Sequence, residues 1–262
     1  MLNIILRTCQ RSELDKNVQK DFTRICGPDR RGMVIKCVTS LVNSILNSQD
    51  DVQLTVLDDR SDADFVKELK ELIKPIKKTK IIKLKPPKGV PGFTWSSMEQ
   101  FRLAAEAPDL VYTIEDDYLH EPTAISEMLN AFEVFSSKLN NSQVMIFPFD
   151  CPFRYESGRE QFTILFHSGI RYWRHVTHTT YSFLTRGSTV KAHEQVFQRL
   201  ATEYPKVTED DTINQLYSSL QNQTAPITVF NPIPSLAYHL SYAEPRQIVT
   251  PYTNWKTLWE TI

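Results

Sequence analysis

Apolar residues follow two alternating patterns along the first 140 residues. Four short runs predict β-strands, at residues 3–8, 52–59, 80–85 and 110–114. Apolar residues at helical spacing predict four helices, at residues 33–46, 62–74, 95–107 and 122–139. Strand-helix repeats of this length imply parallel strands joined by right-handed crossovers. We therefore predict an α/β fold with a Rossmann-like, mostly parallel central sheet flanked by helices.

The pattern changes after residue 140. Strands are predicted at 143–150 and 235–241 and helices at 189–201 and 211–220, while residues 160–187 show no clear helix. The amphipathic end of the chain, "YTNWKTLWETI", is expected to dock on the rest of the protein. No internal repeat and no long linker divides the chain. The sequence predicts one domain over 1–262, with a regular half (1–140) and a more irregular half (141–262).

Composition narrows the class of protein. The net charge is −1, with 41% hydrophobic and 23% charged residues, so nothing points to nucleic acid as a partner. The four cysteines show no C-x-x-C pairing, as is typical of reduced thiols. No stretch approaches the roughly 20 apolar residues of a membrane span. We expect a cytoplasmic protein.

Polar residues come directly after three of the predicted strands. The first strand ends at Arg7 and Thr8, the second at Asp58 and Asp59, and the fourth is followed by Glu115, Asp116 and Asp117. Ligands bind outside the carboxyl ends of strands in open parallel sheets. Three adjacent carboxylates repel one another unless a cation or hydrogen-bond donors compensate them. Turn or helix-cap roles are the alternative, but a cap needs only one carboxylate.

The order of these motifs resembles the inverting glycosyltransferases of family 2, which have the GT-A fold. The run "DDRSDAD" (58–64) resembles the family's turn after the second strand. Glu115-x-Asp117 is similar to its D-x-D motif, with Glu in the first place. The segment "EDDTINQLY" (209–217) resembles the helix start that carries the family's base. The resemblance implies transfer of a sugar from a nucleotide-diphosphate sugar to a carbohydrate or glycolipid acceptor, in which residues 1–140 bind the donor and 141–262 the acceptor.

The resemblance also implies a divalent cation, Mn²⁺ or Mg²⁺, at the leaving diphosphate. Asp117 is the expected metal ligand, with Glu115 or Asp116 as ribose contacts or as support. His239 is similar to a C-terminal metal histidine of the fold, and a structural strand histidine is the alternative. His120 is a weaker candidate.

For the nucleotide, the resemblance implies that Asp59 accepts hydrogen bonds from the base. Arg7, Thr8 and Arg11 are expected near the base, ribose or phosphate, although Arg11 would equally suit a solvated loop. The lysine-rich stretch 74–88 is typical of a solvated edge, and a peripheral contact with an anionic membrane is the alternative.

Inverting transfer needs a general base beside the acceptor hydroxyl. Asp211 aligns best with the family's base and Asp210 is the second choice, while a helix cap is the structural alternative for either. Arg171 and Arg174, in the aromatic segment 166–183, are candidates for recognising an anionic acceptor.

Three other functions use similar carboxylate clusters or the same sheet: a nucleotidyltransferase, a metal-dependent phosphohydrolase and a non-catalytic carbohydrate-binding relative. A nucleotidyltransferase would want a glycine-rich phosphate loop after the first strand, and "RTCQRSELDK" contains no glycine.

Overall fold

The computed structural model describes residues 1–10, 23–24, 26–27, 29–139, 143–151, 155, 163–219, 224–242 and 255–262. Its α-helices are α1 (Arg30–Ser48), α2 (Ala63–Ile73), α3 (Gly92–Ala105), α4 (Ala124–Leu139), α5 (Gly187–Ala192), α6 (Glu194–Glu203) and α7 (Trp255–Thr261). The strands are β1 (Leu2–Thr8), β2 (Thr23–Arg24), β3 (Val52–Asp58), β4 (Lys78–Lys83), β5 (Leu110–Glu115), β6 (Tyr118–His120), β7 (Val144–Ile146), β8 (Leu165–His167), β9 (Tyr172–Val176), β10 (Phe183–Arg186), β11 (Thr228–Ile233), β12 (Ala237–His239) and β13 (Ser241–Tyr242).

A nine-stranded sheet in the order β4-β3-β1-β5-β10-β7-β11-β9-β8 forms the centre of the protein. In the first four strands, which we call the parallel half, every pairing is parallel. β1 and β3 show the same burial pattern, with one partly exposed residue among seven, because helices cover both faces of the sheet. The predicted mixed α/β architecture is therefore confirmed, and the four strands of this half lie within two residues of their predicted bounds.

The other five strands, which we call the mixed half, run in both directions. β10 is antiparallel to β5 and β7, β11 is parallel to β7, and β9 is antiparallel to β11 and β8. The sheet is therefore continuous across residue 140, but strand ends of this half do not gather at one edge.

Several predictions for the second half are wrong. The expected helix 211–220 is only a 3₁₀ turn, Ile213–Leu216, and the expected helix 189–201 is two helices that meet at His193. The expected strand 143–150 is limited to β7, and β11 lies where no strand was predicted. The docked C-terminal segment is confirmed, since Trp255 of α7 is buried and Lys36 Nζ of α1 donates to Trp259 O at 2.6 Å.

Two small ladders lie beside the main sheet. β6 pairs with β12 and β13 pairs with β2, both antiparallel. On α1, the hydroxyls of Ser40 and Ser44 accept hydrogen bonds from the backbone N–H groups of His120 (2.9 Å) and Ile125 (3.0 Å). These bonds fix β6 and the start of α4 against α1.

β4 is an open edge of the sheet, and most of its residues are exposed. Seven lysines (74, 77, 78, 80, 83, 85 and 88) and no carboxylate occur in residues 74–88. Among the described residues, no helix is long and apolar enough to cross a membrane.

Candidate functional site

The carboxyl ends of β1, β3 and β5 meet at one edge of the parallel half, which we call the rim. Thr8 lies opposite Asp58 on β3, and Arg7 lies opposite Glu115 on β5. The neighbouring residues Asp59, Asp116 and Asp117 directly follow these strand ends. The three polar clusters that the sequence placed together are therefore adjacent in the structure.

Hydrogen bonds of Asp116 join the ends of β1 and β5 and the start of α1. Its Oδ2 accepts hydrogen bonds from Thr8 Oγ1 at 2.8 Å and from Cys9 N at 3.0 Å, and its Oδ1 accepts one from Arg30 Nη2 at 2.7 Å. Asp116 is 5% exposed, and both of its oxygens are occupied. Asp116 and Thr8 therefore bond to each other within the rim. A supporting role was one of the two expected for Asp116.

Sequence reasoning missed Arg30, in the first turn of α1. Besides Asp116, its Nε and Nη2 donate to Cys9 O, each at 3.3 Å. Burial disfavours the charged guanidinium, but the charges of Asp116 and Asp117 outweigh this and raise the pKa of Arg30. The only sequence feature that bears on Arg30 is the start of α1, which Asp29 caps. The side chain of Asp29 accepts a hydrogen bond from Gly32 N at 3.0 Å.

Asp117 lies against His239 because β6 and β12 pair next to the rim. Leu240 N donates to Asp117 O at 2.8 Å, and Asp117 Oδ2 is 3.1 Å from His239 Nε2. The His239 ring stacks on that of Tyr118, with centroids 4.6 Å apart. Asp117 Oδ1 is buried and accepts no hydrogen bond from the described residues. These two residues, 122 positions apart in the sequence, are thus neighbours, as the resemblance implied.

Their charges stabilise each other. Burial raises the pKa of Asp117, but the charge and hydrogen bond of His239, with help from Arg30, lower it to about 2. Burial lowers the pKa of His239, and the charge and hydrogen bond of Asp117 outweigh this and raise it above its usual value. A cation bound by both side chains would take the place of the proton in the hydrogen bond between them.

Asp117 and His239 suit a divalent cation chemically. A carboxylate oxygen and an imidazole nitrogen are ligands that Mn²⁺ accepts. Two ligands about 2.1 Å from one octahedral ion lie about 3 Å apart, which matches the spacing of Oδ2 and Nε2. The buried Oδ1 atom has an open acceptor position in addition. The described part of the chain contains no cluster of three or more candidate metal-ligating side chains.

Arg7 points into the protein. Its Nη2 donates to Glu115 Oε1 at 2.5 Å, its Nη1 donates to Ser97 Oγ, and its guanidinium lies over the ring of Phe93, 4.4 Å from the centroid. Arg7 is 7% exposed. Burial raises the pKa of Glu115, Arg7 opposes this, and the charge of Asp117 adds to the rise. The structure thus places Arg7 behind Glu115, where it orients that carboxylate, and not in an open nucleotide contact.

Asp59 lies against the start of α3 and is 4% exposed. The side chain of Arg60 donates to both of its oxygens, at 2.8 and 3.2 Å. A Cβ atom at Gly92 would lie only 2.0 Å from Asp59 Oδ2, so the close approach of helix and carboxylate requires glycine. Arg60 is a second residue that the sequence analysis missed. Arg11 lies outside the described residues.

Asp211 and Asp210 are both exposed on the 208–214 turn. Asp211 accepts hydrogen bonds from Thr208 N and Thr208 Oγ1, both at 3.0 Å. These bonds lower the pKa of Asp211. Asp210 accepts a hydrogen bond from Asn214 Nδ2 at 2.8 Å and lies 3.5 Å from His178 Nε2. The α-helical setting that favoured Asp211 as the base is absent, and Asp211 serves the local turn instead.

Glu209, which was not singled out from the sequence, is partly buried on the 208–214 turn. Burial raises the pKa of Glu209, and the charge of Glu115 raises it further, while the charge of His239 lowers it. Among the described residues, its carboxylate makes no ion pair and no hydrogen bond to another side chain. Glu209 is thus the least exposed of the three carboxylates on this turn.

Three other candidates have internal partners. Arg171 binds Glu127 through two hydrogen bonds, of 2.6 and 3.1 Å, and Arg174 lies 3.7 Å from Asp150. Both arginines are therefore engaged within the protein. His120 is buried between Tyr112 OH and Tyr118 O, and burial lowers its pKa to about 3. His120 is a neutral core histidine and not a metal ligand.

Comparisons with known proteins agree with this geometry. The model of the family described as "Glycosyl transferase family 2" matches residues 29–197, well over half of the chain. The match includes Asp59 and Glu115 to Asp117 but ends before Glu209 and His239. No curated protein matches the chain in sequence.

Among solved structures, an active-site mutant of LgtC aligns with 99% of this chain and 95% of its own, with 10% identity and a TM-score of 0.51. A galactosyltransferase LgtC complex with donor and acceptor sugar analogues aligns with 99% of this chain and 96% of its own, with 10% identity and a TM-score of 0.49. A 4-diphosphocytidyl-2C-methyl-D-erythritol synthase from Anaerococcus prevotii DSM 20548 aligns with 98% of this chain and 92% of its own, with 12% identity and a TM-score of 0.44. The first likeness supports the predicted GT-A fold. With this fold and the family match over the rim, the chain belongs to glycosyl transferase family 2.

Proposed function

We propose that this protein transfers a sugar from a nucleotide-diphosphate sugar to a hydroxyl acceptor, with inversion and with a bound Mn²⁺ or Mg²⁺ ion. The observation that carries the proposal is the Asp117–His239 pair at the rim, with Asp117 Oδ1 buried and without a hydrogen-bond partner among the described residues. When bound, the cation would act as a Lewis acid on the leaving diphosphate. Inversion rests on the family membership.

Different residues of the rim are proposed to bind different parts of the donor. Asp59, at the carboxyl end of β3, is proposed to accept hydrogen bonds from the nucleobase, and Arg60 would move aside for it. Glu115, oriented by Arg7, is proposed to accept hydrogen bonds from ribose or donor-sugar hydroxyls. Asp116 and Arg30 hold the strand ends in register, so that donor binding costs little reorganisation.

The acceptor is proposed to be a carbohydrate or a glycolipid. The lysine-rich edge of β4 would allow peripheral contact with an anionic membrane that carries such a lipid. A cytoplasmic location suits the four cysteines, all of which are thiols.

A thermal-shift screen of UDP, GDP, dTDP and CMP sugars, each with and without Mn²⁺, tests the function. One nucleotide should stabilise the protein more with metal than without it, by roughly 5 °C at about 100 times its Kd. If no nucleotide shifts the melting temperature, the transferase proposal fails.

Product analysis separates the alternatives, after incubation with a nucleotide sugar and an acceptor or with a sugar phosphate and a nucleoside triphosphate. A phosphohydrolase cleaves the diphosphate of the nucleotide sugar with water, to nucleoside monophosphate and sugar phosphate, without sugar transfer. A nucleotidyltransferase joins the sugar phosphate to the nucleoside triphosphate and releases pyrophosphate. A non-catalytic relative binds sugar and changes nothing.

A further inference from the structure

Large apolar side chains are exposed along the hairpin of β8 and β9, far from the rim. Ile164, Leu165, Ile170 and Tyr172 are 44%, 56%, 64% and 58% exposed. They are half of the eight large apolar residues that are exposed in the described part of the chain. Such a concentration of apolar surface in one hairpin is typical of a site of contact with another molecule.

β8 is the last strand in the order of the central sheet, so it pairs with β9 on one side only. On that side, His175 N donates to Ile164 O at 3.0 Å. In an antiparallel pair, residues that bond to the partner strand alternate with residues whose backbone groups point away from it. The N–H and C=O groups of Leu165 and His167 therefore point to the open side. We call the open side of residues 164–168 the β8 edge.

The hairpin brings little charge to the β8 edge. Residues 161–193 contain neither Asp nor Glu, and both arginines of the hairpin pair with carboxylates inside the protein. Lys138 of α4 reaches the edge, where its Nζ donates to His167 O at 3.5 Å. A carbonyl oxygen has two lone pairs, so His167 O can accept a second hydrogen bond. The edge therefore offers backbone groups and apolar side chains to a partner.

The β8 edge is complementary to itself about Phe166. In a second copy related by a two-fold axis, β8 would run antiparallel to the first, with Leu165 of each copy opposite His167 of the other. Residues that face each other in this way exchange both of their backbone hydrogen bonds. Phe166, whose ring lies 5.7 Å from that of Phe135, would face its own copy in a contact between aromatic rings.

A second copy fits this edge better than a lipid surface does. Hydrocarbon offers no partner to backbone N–H and C=O groups, so an open strand edge is not satisfied within a membrane. A second copy supplies these partners and covers Leu165 at the same time. We propose that two copies of this chain associate through the β8 edge into a dimer with one continuous sheet. Because the same edge of both copies is used, the assembly closes after two chains.

The dimer leaves both rims open. Five steps in the strand order separate β5 from β8. At about 4.8 Å for each step, the β8 edge lies about 24 Å from the end of β5. The inference therefore does not depend on the proposed function, and nucleotide binding should be the same in the monomer and the dimer.

Sedimentation velocity of the full chain, from about 1 μM to about 200 μM, tests the dimer. The wild type should change from monomer to dimer in this range, because a small interface supports micromolar affinity. Leu165→Lys places a charge on the edge and should raise the dimer Kd at least about tenfold. Leu46→Lys, at a leucine of α1 that is 45% exposed, is the matched control and should keep the wild-type Kd. A wild type that stays monomeric, or an unchanged Kd in Leu165→Lys, would overturn the proposal.

Hydrogen exchange locates the interface. The backbone amides of Leu165 and His167 should exchange more slowly at about 200 μM than at about 1 μM, because pairing with a second copy protects them. In Leu165→Lys the two concentrations should give the same exchange, and its thermal unfolding should match that of the wild type, since the substituted side chain is exposed. A dimer whose exchange in residues 164–168 does not change with concentration would place the interface elsewhere and overturn the proposal.

Two further measurements separate backbone pairing from contact with lipid. Leu165→Pro keeps an apolar side chain but removes the N–H group that points to the open side, so it should weaken the dimer as Leu165→Lys does. Flotation with vesicles of phosphatidylcholine and phosphatidylserine tests the lipid surface. A wild type that stays monomeric and floats with the vesicles, while Leu165→Lys does not float, would assign the hairpin to a membrane and overturn the dimer.

Discussion

The two halves of the sheet differ in strand direction, and this difference decides where polar residues gather. In the parallel half all strands end at one edge, so Thr8, Asp59 and Glu115 become neighbours although they are far apart in the sequence. In the mixed half the strands run both ways, and their ends are divided between two edges. The residues proposed to bind the donor therefore lie at strand ends of the parallel half or directly after them. Mutations at the rim of the parallel half should accordingly affect nucleotide and metal binding, or the hydrogen bonds that join the strand ends.

The largest effect is expected at Asp117. Asp117→Asn removes the charged ligand of the proposed cation, so metal-enhanced nucleotide binding should fall at least about 100-fold. Isothermal titration of the nucleotide with and without Mn²⁺ measures this loss. Unchanged metal enhancement in the variant would remove Asp117 from the metal site.

Asp116 should behave differently from its neighbour, because its oxygens already have protein partners. Asp116→Asn leaves the buried guanidinium of Arg30 without its counter-charge, and the free energy of unfolding should fall by about 3 kcal/mol. Urea denaturation followed by circular dichroism gives this value. Wild-type stability of Asp116→Asn would contradict the role of Asp116 in joining the strand ends.

Mutation of Glu127 should lower the free energy of unfolding by a smaller amount. Glu127 lies in the contact between α4 and the hairpin of β8 and β9. Burial raises the pKa of Glu127, but the hydrogen bonds from Arg171 and Thr123 outweigh this and lower it. A carboxyl with a lowered pKa stabilises the fold above its unfolded pKa of about 4.3, and this contribution is lost as the pH falls through the lowered value.

Glu127→Gln should therefore cost about 1 kcal/mol at about pH 7. The difference from the wild type should shrink toward zero as the pH falls below about 4. Urea denaturation at about pH 7 and about pH 3.5 tests this, and a constant difference at both values would mean that the ion pair does not contribute.

The smallest effect is expected at Asp211. Its carboxylate is exposed and bonded to Thr208, so Asp211→Asn should leave kcat and both KM values within about twofold of the wild type. A large loss of kcat, measured in the transfer assay, would restore Asp211 as the base.

The sequence predicted the parallel half well because local patterns determine it. Alternating strands and helices imply parallel pairing, and parallel pairing places Asp59 and Asp117 at one edge. His239 was found only through the resemblance to the family, because no local pattern joins it to a carboxylate 122 residues away.

Arg30 and Glu209 were missed for different reasons. Arg30 contacts a residue 86 positions away, and its sequence neighbours indicate only a helix start. Glu209 comes directly before two aspartates in the sequence. Three adjacent carboxylates do not show which one the following turn will leave least exposed. Only the 3₁₀ turn in place of a helix, visible in the structure, distinguishes them.

The lysines of the β4 edge have a consequence for self-association. An open strand offers its backbone groups to a second copy, and a pair of copies joined through β4 would place lysine against lysine along the shared edge. The repulsion weakens as salt rises, since the screening length falls to about 8 Å at physiological ionic strength. Growth of this sheet into a continuous fibre or a shared dimer sheet is therefore opposed on this side, and most strongly in dilute buffer.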